Sequence, residues 1–159
     1  MDPEARKKAL KMISYGLYVA TARGGDDTAA ATVTWVTQMS FEPPLVAMGV
    51  KLDSQLYRAI LRGNTFALNM LGDDQADIAA KFFKPAQVED GKLGGYAISE
   101  GVTGAPLLDD APAIVECKVT DEVDRGDHVL FLGEVVDVQS RREARPLDLY
   151  RDTKWSYGG

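Results

Sequence analysis

Between Thr32 and Ile60 the chain reads TVTWVTQMSFEPPLVAMGVKLDSQLYRAI, and no other stretch restricts the fold as much. Ala30 to Met39 alternates as a strand until Glu42-Pro43-Pro44 interrupts it. Proline has no amide donor and cannot continue a ladder, so regular pairing stops there. Leu45 to Val50 resumes as a near-continuous apolar strand. Asp53 then caps a short helix, Ser54 to Leu61, which Gly63 should stop. Two strands delivered against a fresh helix N-terminus make a place for an anion. The first N–H groups of the helix lack partners and carry the positive end of its dipole. Lys51, directly after the second strand, adds a full positive charge. These residues predict a phosphate site on a β scaffold.

The remaining elements fit around that scaffold. Asp2-Pro3-Glu4 starts a helix whose apolar positions Ala9, Leu10, Ile13 and Leu17 keep helical spacing until Gly16 loosens it. Leu17 to Ala22 reads as a strand turned by Gly24-Gly25-Asp26-Asp27, and Thr65 to Leu71 as another. Asp73 or Asp74 should cap a second short helix, Gln75 to Phe83, ended by Pro85. Residues 86 to 111, rich in Gly, Asp, Glu and Pro, predict an ordered excursion. Ala113 to Val123 and Val129 to Val138 are long alternating strands joined by Asp124-Arg125-Gly126-Asp127. From Ser140 the tail is polar and charged, yet it ends Trp155-Ser156-Tyr157-Gly158-Gly159. Strands and helices do not alternate strictly, which weighs against a doubly wound sheet. A closed antiparallel barrel with short helices plugging or flanking it suits the pattern, because closure removes the strand edges.

Composition sets the surroundings. The chain of 159 residues is long enough for one domain with a real core. A net charge of −6 argues against a nucleic-acid partner, while one or two local cations suffice for a small phosphorylated ligand. The single Cys117 cannot form an internal disulfide, which suits a reducing cytoplasm. No segment approaches the roughly 18–20 apolar residues of a membrane span. The opening MDPEARKKALKM lacks the apolar core of a signal peptide.

Catalytic motifs are scarce. No G-x-G-x-x-G opens a helix, and Gly91, Gly101 and Gly104 suit turns better than phosphates. One Cys and one His cannot build a metal site without carboxylates. Cys117 alternates with Val115 and Val119, the pattern of a core thiol, and no serine sits in a nucleophile elbow. His128 begins a strand just after an acidic turn, where it either finishes the turn or reaches a ligand at a strand end. Lys81-Phe82-Phe83-Lys84-Pro85 closes the second short helix. It serves either as a cationic helix end with a core aromatic or as a ring contact with a phosphate-reaching lysine. Trp35 and Trp155 read first as packing residues.

Four stretches together resemble the flavin reductase-like family, the FMN-binding split barrels. They are Thr32–Val50 with its Ser40-Phe41-Glu42-Pro43-Pro44-Leu45 turn, Phe66-Ala67-Leu68-Asn69-Met70-Leu71, Gly104-Ala105-Pro106-Leu107-Leu108, and Gly126-Asp127-His128 leading to Gly133-Glu134-Val135. Their order and spacing match over roughly residues 8 to 140. Thr34-Trp35-Val36-Thr37-Gln38 with Lys81-Phe82-Phe83-Lys84-Pro85 looks most like the flavin reductase modules attached to flavodiiron proteins, here expected to stand alone. Many family members carry Asn-Ser where this chain has Thr34-Trp35.

The resemblance implies a mainly β fold, a six-stranded antiparallel split barrel of Greek-key type with a few short flanking helices. It implies one FMN-binding domain over residues 1–159, with the core over 8–140 and a tail over 141–159. It also implies a homodimer with FMN, or FAD, near the interface. Thr34, Trp35, Val36 and Thr37 would line the isoalloxazine, Lys51 and Ser54 would hold the phosphate, and Val50 would be a further cofactor contact. Lys81, Phe82, Phe83 and Lys84 would close the other side, and His128 would position the nicotinamide. The expected activity is NAD(P)H-dependent flavin reduction, with NADH or NADPH as donor and a redox protein or monooxygenase as a candidate partner. The rival is a non-enzymatic FMN-binding electron carrier, and a third reading is a barrel that has lost its flavin.

Overall fold

The strand expected over residues 30–39 is two strands, and the break between them shapes the molecule. In the computed structural model, which describes residues 1–158, β1 (Tyr18–Gly24) and β2 (Asp27–Val33) form a hairpin. Two residues later β3 (Val36–Ser40) begins and pairs with β4 (Leu45–Lys51). After α2 (Gln55–Gly63) comes β5 (Thr65–Met70), and the long strands β10 (Ala113–Asp124) and β11 (His128–Ser140) complete an antiparallel sheet ordered β2-β1-β5-β10-β11-β4-β3. β2 and β3 are its opposite edges. The step from Val33 to Val36 can span at most about 10–11 Å. The sheet must therefore curl until its edges meet, giving a split barrel closed by covalent chain in place of a ladder. Seven strands replace the expected six because the 30–39 strand is divided at Thr34-Trp35.

Before the barrel lies α1 (Pro3–Leu10), capped by Asp2 and carrying no buried residue. The helical run expected through Ile13 to Leu17 ends early. With Glu4, Arg6, Lys7 and Lys8 within eight positions, α1 has too narrow an apolar face to pack on anything. Between β5 and β10 lie α3 (Ala76–Lys81) and a small sheet of β6 (Val88–Glu89), β7 (Lys92–Leu93), β8 (Tyr96–Glu100) and β9 (Pro106–Leu108), paired in that order. This is the ordered excursion expected over 86–111. After β11, a tail leads to α4 (Leu149–Asp152), and Leu147 and Leu149 in it are buried. No helix among the described residues is long and apolar enough to cross a membrane.

Two cores share the strands β1 and β5. Ala20, Phe66, Leu68, Met48, Val50, Cys117 and Phe131 fill the barrel with Leu56 and Ile60 of α2. Leu17, Val19 and Ala67 face outward against α3 and the small sheet, joining Ile78, Phe82, Leu93 and Leu107. Successive strand side chains point to opposite faces, so a strand covered on both sides reads as nearly continuous apolar sequence. Cys117 is a core thiol whose burial, aided by Glu116, pushes it up to about 12.

Helix ends differ from the expected ones in instructive ways. Ser54, not Asp53, caps α2, its Oγ accepting from Tyr57 N at 3.0 Å. α2 runs through Gly63, and Asn64 takes the left-handed position at φ 55°. Gly63 is needed elsewhere, because a Cβ there would collide with the Arg23 carbonyl where α2 lies flush on β1. Asp73 and Asp74 cap nothing. They pair with Arg145 and Arg142, tying the tail to the start of α3, and Gln75 takes the cap position while its side chain bonds Gly72 N and Asp110 O in place of the helix amides.

A buried polar clasp fastens the small sheet to the barrel. Asn69 on β5 is fully buried; its Nδ2 donates to Val19 O at 3.0 Å and its Oδ1 accepts from Leu108 N at 2.7 Å. Thr21 Oγ1 donates to Pro106 O at 2.6 Å beside it. Removing the Asn69 side chain strands the Leu108 amide in an apolar interior. Asn69→Ala is expected to lower unfolding stability by about 1–3 kcal/mol. Urea denaturation should show it as a lower midpoint at an unchanged m value.

Candidate functional site

The Thr34-Trp35 corner opens one wall of a cleft of about 540 Å³. Its backbone is held to the barrel by Gly49 N, which donates to Trp35 O at 2.8 Å. Thr34, Trp35, Val50, Lys51, Ser54, Phe82, Phe83 and His128, all expected at a site, line this one cleft. Val36 and Thr37 do not. Past the corner they belong to β3 and line two neighbouring hollows of about 660 Å³ and 580 Å³. The 580 Å³ hollow abuts the cleft through Trp35, Gly49 and His128. Lys81 and Lys84 are exposed beside α3 and line none of the three.

One end of the cleft is suited to an anion. β4 delivers Lys51, and the chain turns through Leu52-Asp53 into α2. Ser54 Oγ serves Tyr57 N, and the other amides of the first turn have no partner within the helix. Lys51 Nζ lies 3.3 Å from Asp53 Oδ1, a largely exposed contact that water weakens. An incoming phosphate would take both the lysine and the helix N-terminus.

The walls are apolar and aromatic. Phe82 is fully buried, packing on Tyr96 with ring centroids 6.0 Å apart, while its carbonyl accepts from Thr32 N at 3.1 Å. It is thus a core aromatic that also faces the cleft. Phe83 is half exposed and meets Trp155 edge-on at 4.8 Å. Trp35 lies against His128 with centroids 4.5 Å apart.

Both ring nitrogens of His128 are engaged. Nδ1 lies 2.7 Å from Asp127 Oδ1, and Nε2 lies 2.7 Å from Tyr157 Oη. A carboxylate only accepts, which assigns the proton to Nδ1 and leaves Nε2 to accept from the tyrosine hydroxyl. The hydrogen bond from His128 holds the Asp127 carboxyl below its ordinary range. His128 therefore both finishes the acidic turn and faces the cleft.

Two polar atoms at the corner are shielded from water without a partner among the described residues: Thr34 Oγ1 and Trp35 Nε1. Unpaired buried polar groups are rare and costly, and the fold itself gives these two no partner. The alternating sequence gives no hint of them. Trp155 and Tyr157 also line the cleft without having been expected there. The only signal for them is an aromatic-glycine ending on an otherwise charged tail.

Comparison with known proteins agrees with this geometry. The flavin reductase like domain profile matches residues 10–156. An NADH-dependent FMN reductase of Streptomyces nodosus subsp. asukaensis is 34% identical over 142 residues, covering 87% of this chain and 75% of that protein. Diflavin flavoprotein A 1 of Synechocystis is 32% identical over 132 residues, 82% of this chain but only 23% of that longer protein. Among solved structures, the styrene monooxygenase flavin reductase of Pseudomonas putida S12 superposes with a TM-score of 0.75 at 28% identity, covering 90% of each chain. With a split barrel, a phosphate-ready helix start and a profile match over nearly its whole length, the chain belongs to the flavin reductase-like domain family.

Proposed function

We propose that the 540 Å³ cleft holds FMN and that the chain works as an NAD(P)H-dependent flavin reductase at this site. The observation that carries the reading is the meeting, in one cleft, of Lys51 and the α2 N-terminus with two unpaired polar atoms. Flavin has the complementary parts: a phosphate for the first pair, and ring oxygens and nitrogens for the second. The apolar walls suit its planar ring. NADH is the donor named for the Streptomyces relative; NADPH is its alternative here.

The chemistry is that of the cofactor, a hydride passing from nicotinamide C4 to flavin N5. The protein's share is to hold two rings in register and keep water out. Lys51 and Ser54 fix the phosphate end. Phe82 and Phe83 close the far wall. His128, held in one tautomer by Asp127 and Tyr157, presents a fixed edge beside Trp35 for orienting the nicotinamide. No protein acid or base is needed for the transfer, which suits a cleft with a single imidazole.

Anaerobic mixing of the FMN-loaded chain with NADH tests the reading. Flavin absorbance should bleach as NADH is consumed. FMN that binds but is reduced only by another redox protein would mark an electron carrier instead. Substitution of His128 should slow the bleaching at saturating NADH while FMN affinity holds. A tenfold loss for His128→Ala, about 1.4 kcal/mol of transition-state stabilisation, is the size expected of misorientation. An unchanged rate would remove His128 from the site.

The phosphate assignment has its own check. Lys51→Ala should weaken FMN by roughly 1.5–3 kcal/mol. Riboflavin, which lacks the phosphate, should lose much less. Equal weakening of both in a fluorescence titration would move the phosphate elsewhere, with Lys81 and Lys84 next in line.

Assembly follows from the barrel's outer face. Leu130, Val136 and Val138 of β11 are exposed, Val138 by 62%. Apolar side chains repeated along one long strand suit a second copy of this chain. The homodimer should bury more than about 1,000 Å². A monomer by sedimentation at micromolar concentration, with FMN bound, would defeat it. Downstream, a monooxygenase is the kind of acceptor that the Pseudomonas putida structure suggests. A reducing cytoplasm suits the free Cys117.

A further inference from the structure

The segment after α4 crosses the mouth of the cleft from one wall to the other. At one end Trp155 meets Phe83 edge-on, centroids 4.8 Å apart and planes at 76°. At the other, Tyr157 hydrogen-bonds His128 Nε2 at 2.7 Å and lies edge-on to Trp35 at 5.5 Å. Trp155, Ser156 and Tyr157 all line the cleft. Between these two latches the backbone is lightly held. Trp155 N donates to Thr153 Oγ1 at 3.1 Å, and the Tyr157 carbonyl accepts from Tyr150 Oη at 3.4 Å. Residues 153–158 belong to no helix or strand. A segment with few backbone bonds and half-exposed anchors opens at low cost relative to the barrel.

The closed position is also unfinished. Trp35 Nε1 and Thr34 Oγ1 are shielded from solvent without partners among the described residues. Gly158 lies against the indole, for a Cβ there would stand 3.3 Å from Trp35 Cζ2 and 3.7 Å from Nε1. Burying donors with nothing to accept from them destabilises the arrangement that buries them. Yet about 540 Å³ remains beneath the segment. A ligand that offers acceptors there completes the closed arrangement and not the open one. Differential affinity of that kind shifts the balance toward closure.

We propose that residues 155–157 are a strap that opens to admit the flavin and closes over it. The Tyr157–His128 hydrogen bond is its latch, and the Trp35 N–H and Thr34 hydroxyl are the groups through which bound ligand holds it shut. This rests on the FMN reading of the cleft. Because Tyr157 sits on His128, it also sets how fast the cleft exchanges its contents. It is a positioning residue that acts through His128.

Hydrogen exchange on the full chain, with and without FMN, reads the strap directly. Amides of residues 154–158 should exchange more slowly when FMN is bound. Tyr157→Phe keeps the ring and deletes the latch. FMN should then leave about two- to tenfold faster in a stopped-flow release experiment, the size of one net hydrogen bond. Unchanged protection of β5 and β10 amides in that variant reports an intact fold. If FMN binds but leaves exchange at 154–158 unaltered, or accelerates it, the strap is overturned and the flavin reading stands. If FMN leaves Tyr157→Phe no faster than the parent chain, the latch is overturned. Failure of FMN to bind at all overturns both.

Discussion

The two-residue crossing at Thr34-Trp35 is the constraint from which the rest of this structure follows. It joins the outermost strands of a seven-stranded sheet, β2 and β3, across a step of at most about 10–11 Å. A flat or gently twisted sheet would hold those edges tens of ångströms apart, since neighbouring strands lie about 4.8 Å from one another. Covalent connectivity thus enforces the curl, and burial of Phe66, Met48 and Phe131 inside it supplies the free energy to maintain it. The barrel remains split because the corner residues have left the ladder, and their polar groups are free for another use.

That use explains why the cleft is where it is. A corner between two edge strands is the one place in a closed sheet where backbone and side chains escape pairing. Trp35 O is recaptured by Gly49, but Thr34 Oγ1 and Trp35 Nε1 find no partner among the described residues. The same corner brings β4 alongside, so the strand end carrying Lys51 and the first turn of α2 fall at the cleft's rim. Fold closure and the proposed ligand recognition therefore fall on the same few residues. The Asn69 clasp plays the supporting part. By fixing β9 to β5 it secures the small sheet that packs with Phe82 and backs the far wall.

What could be seen in the sequence was whatever is encoded locally. A basic residue at a strand end followed by capping residues and an apolar helix is a local pattern, and Lys51 and Ser54 were legible from it. So were the long hairpin of β10 and β11 and the ordered excursion before it. The corner was not legible. Thr34-Trp35-Val36 has high β propensity and contains no Gly or Pro, and its one irregularity, the adjacent apolar pair Trp35-Val36, is too slight to mark a break in a strand. The miss carried Val36 and Thr37 into neighbouring hollows. Adjacent candidates were also beyond local reading. Asp53 and Ser54 are equally good caps, and only backbone geometry selects between them. Asp73 and Asp74 resemble caps until Arg145 and Arg142, some 70 residues away, are seen to claim them. The tail's aromatic ending found its meaning only opposite Phe83 and His128, contacts no local pattern encodes.

Rigid and movable parts of the site are divided along the same lines. Lys51 and His128 are register partners on β4 and β11, so the span between the lysine and the imidazole is set by the end pair of a ladder. Neither can shift without disturbing Val129 and Val50, which follow in the same register and are buried. The tail that touches His128 from outside has no such ladder. α4 itself is well fastened. Asp148 caps it, and Arg151, then the Asp148 amide and Arg145, hold the Asp152 carboxyl well below the usual carboxylate range. Past Thr153 that fastening ends. A chemistry supplied by a bound ring asks the protein for exact spacing inside and controlled access outside. A barrel ladder meets the first demand, and a short, lightly held segment hung on one anchored turn would meet the second.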